Sequence, residues 1–374
     1  MIGNGLFALG GLLKKIYKNI KTKILSVRIV TVTKQLPRFV RDTKDILPYV
    51  SAWLVEQNDR FRRKVIKIFE NATVDKRYGI MSIEEVFSAT SFKDKNDIYV
   101  REVKNLGISV VKKALEKADW DPKSLDYIIT VSCTGIMIPS VDAYIINDLG
   151  LKQDIVRLPV TEMGCVAGVS GIIYARNFLQ ANPGKRAAVV AIESPTATFQ
   201  LNDYSMTNMV SAAIFGDGAA CALLSSEKDT IGPKILGDEM YHFYNATSMM
   251  GFQLTNSGLQ MILDPKVPET IAEHFPAIIH PFLKKHGKNI ENINHLIFHP
   301  GGKKIIQTVE ELFGHLGKDI DDTKAILKEY GNMSSATVLY VLERFMDRMP
   351  ATGETGLMLS FGPGFTAQRI LLEW

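Results

Sequence analysis

Leu125-Asp126-Tyr127-Ile128-Ile129, running into Cys133-Thr134-Gly135, and Ile293-Asn294-His295-Leu296-Ile297, running into His299-Pro300-Gly301-Gly302, follow one pattern. In each, an apolar run of strand length meets a turn that contains glycine. Cys133 and His299 stand 166 positions apart. Gly164-Cys165, followed by the helical run Val169–Leu179, returns 167 positions later as Gly331-Asn332, followed by Thr337–Met346. The buried-strand run Ala187–Glu193 returns at the same offset in Gly356–Ser360. Three matches at almost one offset indicate an internal duplication.

Each half therefore reads as strand, glycine turn, helix and buried apolar strand. Further helices, Asn105–Ala118 and Pro268–His286, precede the first strand of each half. Continuous apolar strands flanked by amphipathic helices imply an α/β fold with both sheet faces covered. At 374 residues the chain is longer than one core usually organises. The expected divisions are residues 1–25, a first half at 26–230 and a second at 231–374. Two halves related by a pseudo-twofold axis would carry Cys165, His299 and Asn332 toward one junction.

Composition excludes several function classes. Hydrophobic residues make up 46% of the chain and charged residues 22%, and a mean hydropathy of +0.04 is too low for a polytopic membrane protein. Cys133, Cys165 and Cys221 are odd in number, with no CxxC pair, which argues against a disulfide framework and a cysteine zinc site. A reducing, cytoplasmic location is the expectation. The stretch Leu6 to Leu13 is far shorter than the ~20 residues of a spanning helix. It is followed, not preceded, by lysines, so it is a poor signal peptide.

The net charge of +4 is unevenly placed, because residues 1–40 carry eight Lys or Arg and no acid, leaving 36 basic against 40 acidic residues beyond them. Leu9, Leu13, Ile16, Ile20 and Ile24 recur at helical spacing, with Lys14, Lys15, Lys18 and Lys21 on the opposite face. Residues 6–25 thus read either as an anchor on an anionic membrane surface or as a helix packed on the body or across a dimer. A nucleic-acid partner is not expected, since aromatic interleaving is missing and acids balance the remainder.

Cys165 follows a glycine at the start of a helix, where the positive end of the helix dipole favours a thiolate. His299 ends a buried strand and faces a turn of small residues, so its side chain can project into a cleft. Taken singly, each candidate has a plainer reading: Cys165 as a small buried hydrophobe, His299 as a satisfied structural histidine, Asn332 as a helix N-cap.

Taken together they carry a family resemblance. Tyr330-Gly331-Asn332-Met333-Ser334-Ser335-Ala336, Phe298-His299-Pro300-Gly301-Gly302, Phe215-Gly216-Asp217-Gly218, Lys76-Arg77-Tyr78 and Ser360-Phe361-Gly362-Pro363-Gly364-Phe365 resemble the type III polyketide synthases, the chalcone synthase family of the thiolase superfamily. The resemblance runs from about Val27 to the C-terminus and has a bacterial cast. It implies a duplicated, thiolase-like αβαβα layered fold and a homodimer. It also implies a catalytic triad of Cys165, His299 and Asn332. The family's two gating phenylalanines fall on Phe215, which is retained, and on Met261, which departs from the pattern. Cations for the CoA phosphates fall on Lys64 and Lys67, with Asn71 where a third is common. Cavity residues fall on Cys133, Thr198, Ser334 and Phe252, the last bulkier than the glycine of the plant enzymes. A residue that reaches across the dimer falls on Ile138.

The implied reaction is iterative decarboxylative Claisen condensation of malonyl-CoA onto an acyl-CoA starter, with His299 as an imidazolium holding the Cys165 thiolate. No metal, nicotinamide or flavin is expected, and neither GxGxxG after a strand, GxxxxGK[ST] nor HExxH occurs. Met261, adaptable where an aromatic is usual, and Cys133 in place of a hydroxyl residue suggest a fatty acyl starter and an alkylpyrone or alkylresorcinol product. Met261 as plain core packing stays open, and Phe252 pulls toward a shorter cavity. The alternatives are a single-condensation 3-ketoacyl synthase III, which uses acyl carrier protein, a hydroxymethylglutaryl-CoA synthase, and a catalytically silent scaffold.

Overall fold

The computed structural model describes residues 26–88, 91–314 and 316–374, so the stretch at 6–25 lies outside the described residues. In chain order the strands are β1 (Arg28–Gln35), β2 (Phe39–Asp42), β3 (Lys76–Gly79), β4 (Tyr127–Val131), β5 (Val156–Val160), β6 (Arg186–Glu193) and β7 (Gly218–Ser225). They continue as β8 (Lys234–His242), β9 (Met250–Thr255), β10 (Gly258–Leu263), β11 (His295–Phe298), β12 (Thr355–Gly362) and β13 (Thr366–Glu373).

Nine of them form one sheet in the order β11-β12-β13-β8-β1-β7-β6-β4-β5. From one edge, β11 and β12 are parallel, then β13 and β8 follow antiparallel. From the other, β5, β4 and β6 are parallel, then β7 and β1 follow antiparallel. The two series mirror one another and meet where β1 touches β8 at Arg28 and Lys234. That is the duplication: β4 answers β11 and β6 answers β12, the pairs that share the sequence offset. Among the described residues β5 has no counterpart in the second half.

The strands are apolar on both faces because both faces are covered. Ala187, Val189 and Ala191 of β6 enter a central core with the helices Ala167–Ala181 and Thr337–Arg348. Ala188, Val190 and Ile192 enter an outer core with the helix Phe92–Ala118. Met358 of β12 joins the central core, whereas Leu357, Leu359 and Phe361 pack outward with the helices Val267–Lys285 and Lys303–Gly314. The layers run helix, one half of the sheet, helix, the other half of the sheet, helix. Strands buried on both sides show no polar alternation.

The two central helices start almost in contact. A methyl group on Gly168 would overlap the Ser335 carbonyl oxygen, so the approach requires glycine there. This draws the turn that carries Cys165 and the turn that carries Asn332 together. The helix expected from Asn105 begins at Phe92 instead, after Ser91, whose hydroxyl accepts the Asp94 N–H at 3.1 Å. Its first turns are rich in charge, so the apolar period is weak there. No described helix is long and apolar enough to cross a membrane.

Candidate active site

Cys165 lies in a short 3-10 turn, Gly164–Val166, that runs directly into the helix Ala167–Ala181. Gly164 has φ +55°, and a Cβ there would stand 2.8 Å from the Pro363 ring, so no other residue fits. The Ser360 hydroxyl donates to the Cys165 carbonyl at 2.8 Å and ties this turn to β12. Asn332 follows Gly331, donates its backbone N–H to Ile214 O at 2.8 Å and accepts from Gly216 N at 3.1 Å, which places it beside Phe215. Its Oδ1 accepts the Ser334 N–H at 2.8 Å, while Nδ2 donates to Gly301 O at 3.3 Å. The N-cap of the turn Ser334–Ala336 is Met333 and not Asn332, so the asparagine amide serves instead to join Ser334 to Gly301. His299 leaves β11 with its backbone N–H on Leu359 O at 3.0 Å. Its side chain is buried, 3% exposed, and neither ring nitrogen has a hydrogen-bond partner.

One cavity is lined by all three, together with Cys133, Ser334, Phe215, Phe252 and Met261. Phe252 and Met261 face each other across the β9–β10 hairpin. The Ser334 hydroxyl stands 3.7 Å from the Cys165 sulfur and 3.6 Å from the Cys133 sulfur. Thr198 is placed differently, lining a second cavity that also meets Phe215 and Met261. Ile138 is 93% exposed and does not line its own chain's catalytic cavity. Lys64 and Lys67, on the helix Asp59–Asn71, are exposed; Lys67 borders a surface depression with Arg62 and Arg63.

Burial sets the ionisation. It pushes the Cys165 thiol up to about 12, with the nearby Glu193 carboxylate adding to the effect and the Ser334 hydroxyl opposing it. It draws His299 down to about 3. Burial therefore disfavours the charged form of each group, a cost that an imidazolium–thiolate pair would have to offset. Desolvation disfavours both charged forms, and no carboxylate bonds the imidazole to offset it.

Glu193 was missed as a site residue, although a carboxylate ending the run Ala187-Ala188-Val189-Val190-Ala191-Ile192 is an available signal. Fully buried, it accepts from Ser335 Oγ at 2.5 Å, Thr134 Oγ1 at 2.9 Å and Cys133 N at 3.0 Å. Burial raises its pKa while these donors oppose the rise. The carboxyl joins the β4 turn to the turn after Asn332, and so positions both Cys133 and Ser334.

A five-layered duplicated fold with cysteine, histidine and asparagine at the junction of its halves defines a thiolase-like condensing enzyme. Models of the N-terminal and C-terminal domains of chalcone and stilbene synthases match residues 18–228 and 240–373, and the chain belongs to that family. The match begins ahead of Val27, inside the basic stretch. Phloroglucinol synthase of Pseudomonas fluorescens is 30% identical over 311 residues, covering 82% of this chain and 88% of that one. The 1,3,6,8-tetrahydroxynaphthalene synthase of Streptomyces coelicolor is 31% identical over 310 residues, covering 83% and 82%. Its crystal structure, described as a bacterial type III polyketide synthase, superposes with a TM-score of 0.87 at 28% identity, over 93% of this chain and 99% of that one. A polyketide synthase of the brown alga Ectocarpus siliculosus gives 0.85 at 25% identity, over 94% and 99%. The chain is thus a type III polyketide synthase, an acyltransferase, which sets aside the single-condensation synthase and the scaffold.

Proposed function

We propose that Cys165 carries the growing acyl chain and that His299 and Asn332 serve its transfer and extension; the observation behind this is the single cavity shared by the three side chains. In this reading His299 holds the thiol proton as an imidazolium beside the Cys165 thiolate, sulfur attacks the acyl-CoA carbonyl, and the proton passes to the departing CoA thiolate. Malonyl-CoA then loses CO2, and the electron pair of the broken C–C bond becomes an enolate. An N–H of His299 and the Asn332 amide donate to its oxygen without supplying a competing acid. The carbanion attacks the Cys165 thioester, the cysteine sulfur leaves, and the chain, two carbons longer and now on CoA, can load again. CoA thioesters are the substrates, and this chemistry asks for no metal or redox cofactor. Lys64 and Lys67 are the cations assigned to the CoA phosphates. Ile138, exposed at one face, is assigned to the contact with a second copy in a homodimer.

The starter in this reading is a fatty acyl-CoA and the product an alkylpyrone or alkylresorcinol. Support comes from Met261, a flexible thioether that forms part of the walls of both cavities. The second reading, a polyhydroxylated aromatic built from short units, is favoured by the products named for the relatives and by the bulk of Phe252. In competition, medium and long acyl-CoAs should outcompete acetyl-CoA and aromatic acyl-CoAs as starters, scored by mass spectrometry of products. A clear preference for the short or aromatic starters overturns the fatty acyl assignment. Peripheral contact with anionic lipid through residues 6–25 rests on sequence spacing alone. Co-sedimentation with anionic liposomes should fall on deleting residues 1–25 and on raising salt; no binding by the full chain ends that proposal.

A further inference from the structure

We infer that the outward face of the helix Asp59–Asn71 is a docking surface for an acidic acyl carrier protein, a donor of the acyl group besides CoA. The inference rests on Cys165 as the acyl-carrying nucleophile, proposed above, and adds a protein donor to it. Arg60, Arg63, Lys64 and Lys67 follow one another at helical spacing and share one stripe about 10 Å long. All four are exposed, and among the described residues none of them forms a salt bridge. Arg62 lies off the stripe and pairs with Asp59. Cations spaced more closely than a Debye length of about 10 Å repel one another, and an anionic partner relieves that cost. Arg60 also stands in the first turn, where the helix dipole disfavours positive charge. Helix formation by itself gives no reason for a cation there.

The opposite face of the same helix belongs to the enzyme's interior. Val65 and Phe69 are buried, and Phe69 lines the second cavity, which shares Pro195, Phe215 and Met261 with the cavity of Cys165, His299 and Asn332. The stripe therefore lies one helix thickness outside that second cavity. Asn58 caps the helix by accepting the Phe61 N–H at 2.9 Å, so the cations are presented on a fixed element. A carrier protein bears its acyl group as a thioester on a phosphopantetheine arm, the same arm that ends in the thiol of CoA. One route to Cys165 thus admits either donor, and what distinguishes them is the body outside. Lys64 and Lys67 are assigned to the CoA phosphates, whereas Arg60 and Arg63 continue the stripe toward the start of the helix. Exposed acids bound it, Glu56 and Asp59 at one end and Glu70 at the other. A cationic patch of about two turns between acids matches a small protein surface of opposite sign, while a lipid surface, anionic throughout, would meet those acids as well. In the transfer the Cys165 sulfur attacks the carbonyl carbon of the carrier's thioester. The bond from that carbon to the carrier sulfur breaks, and the proton given up by Cys165 ends on the carrier thiol.

The experiment gives the full-length enzyme one acyl group, the one it takes best from CoA, either on CoA or on a bacterial acyl carrier protein. The adduct on Cys165 is followed in time by intact-protein mass spectrometry. Loading from the carrier should occur and should slow as salt is raised, because exposed charges are screened. The double variant Arg60→Glu, Arg63→Glu should lower the ratio of carrier to CoA loading rates by at least about tenfold. Both positions are exposed, and an acid in the first turn suits the helix dipole, so thermal unfolding should show an intact fold. Arg60→Ala, Arg63→Ala replaces it if the reversal does not fold, with a smaller fall of the same sign. Loading from CoA with none from the carrier overturns the docking surface while Cys165 stands as the nucleophile. An equal fall with both donors assigns the whole stripe to CoA and overturns it too. Binding to phosphatidylglycerol vesicles that the variant loses, with the loading ratio unmoved, assigns the stripe to lipid and overturns the proposal. No adduct from either donor overturns the reading of Cys165 itself, and the docking surface with it.

Discussion

Cys165→Ala should abolish acyl loading and all chain extension, with product formation lower by at least about 10^4-fold, because Cys165 is the sulfur proposed to hold the chain as a thioester between condensations. Intact-protein mass spectrometry after incubation with acyl-CoA should show an acyl adduct on the unmodified enzyme and none on the variant. The turn that carries Cys165 is held by backbone and Ser360 contacts, not by the sulfur, so the variant keeps the fold. Peptide mapping is part of the measurement, because Cys133 shares the Ser334 hydroxyl with Cys165. An adduct that survives on Cys133, or undiminished polyketide formation, sinks the assignment.

His299→Ala should lose both loading and malonyl decarboxylation, since the imidazole is asked to hold the thiol proton beside sulfur in one step and to donate a hydrogen bond in the other. Asn332→Ala should slow decarboxylation by about 10^2 to 10^3-fold and loading by less, the expected result of removing one donor to a developing oxyanion. Release of CO2 from malonyl-CoA, measured apart from acyl transfer, separates the two. Equal losses in both steps for Asn332→Ala would show that its role is to hold the turn through Oδ1 and not to stabilise the enolate.

The same histidine carries a pH signature. Its pKa in the folded protein is about 3, against an ordinary value of 6.5. Between these values the unfolded chain binds a proton that the folded chain does not, so stability falls as pH is lowered from 6.5 toward 3. His299→Gln removes that contribution and should show a shallower loss of stability between pH 6.5 and pH 4. Denaturant midpoints at several pH values check it, and parallel curves for the two proteins would refute burial as the cause.

Much of the architecture is legible because the duplication repeats local features. Strand, glycine turn and helix are specified within a few residues of one another, and glycine at 164 and 331 is demanded by backbone conformation, so Cys165 and Asn332 stand out without reference to distant parts of the chain. The start of the helix at Phe92 was not legible, because charged first turns hide the apolar period. Thr198 illustrates another limit: the family resemblance assigns it to the cavity with Ser334, yet it lines the second cavity and not the one shared by Cys165, His299 and Asn332.

The sequence by itself determined the two matched halves, the type III polyketide synthase family and the three residues at the junction, since periodicity, turn chemistry and motif order are properties of short segments. Tertiary structure alone decided the burial that pushes Cys165 up and His299 down, the bonds by which Glu193 joins Cys133 to Ser335, and the cluster of Trp53, Phe87 and Phe199. Those depend on desolvation and on contacts between segments far apart in the chain, such as Cys133 with Ser334 or Trp53 with Phe199. Burial is a sum over every neighbour in space, and no local pattern of residues contains that sum.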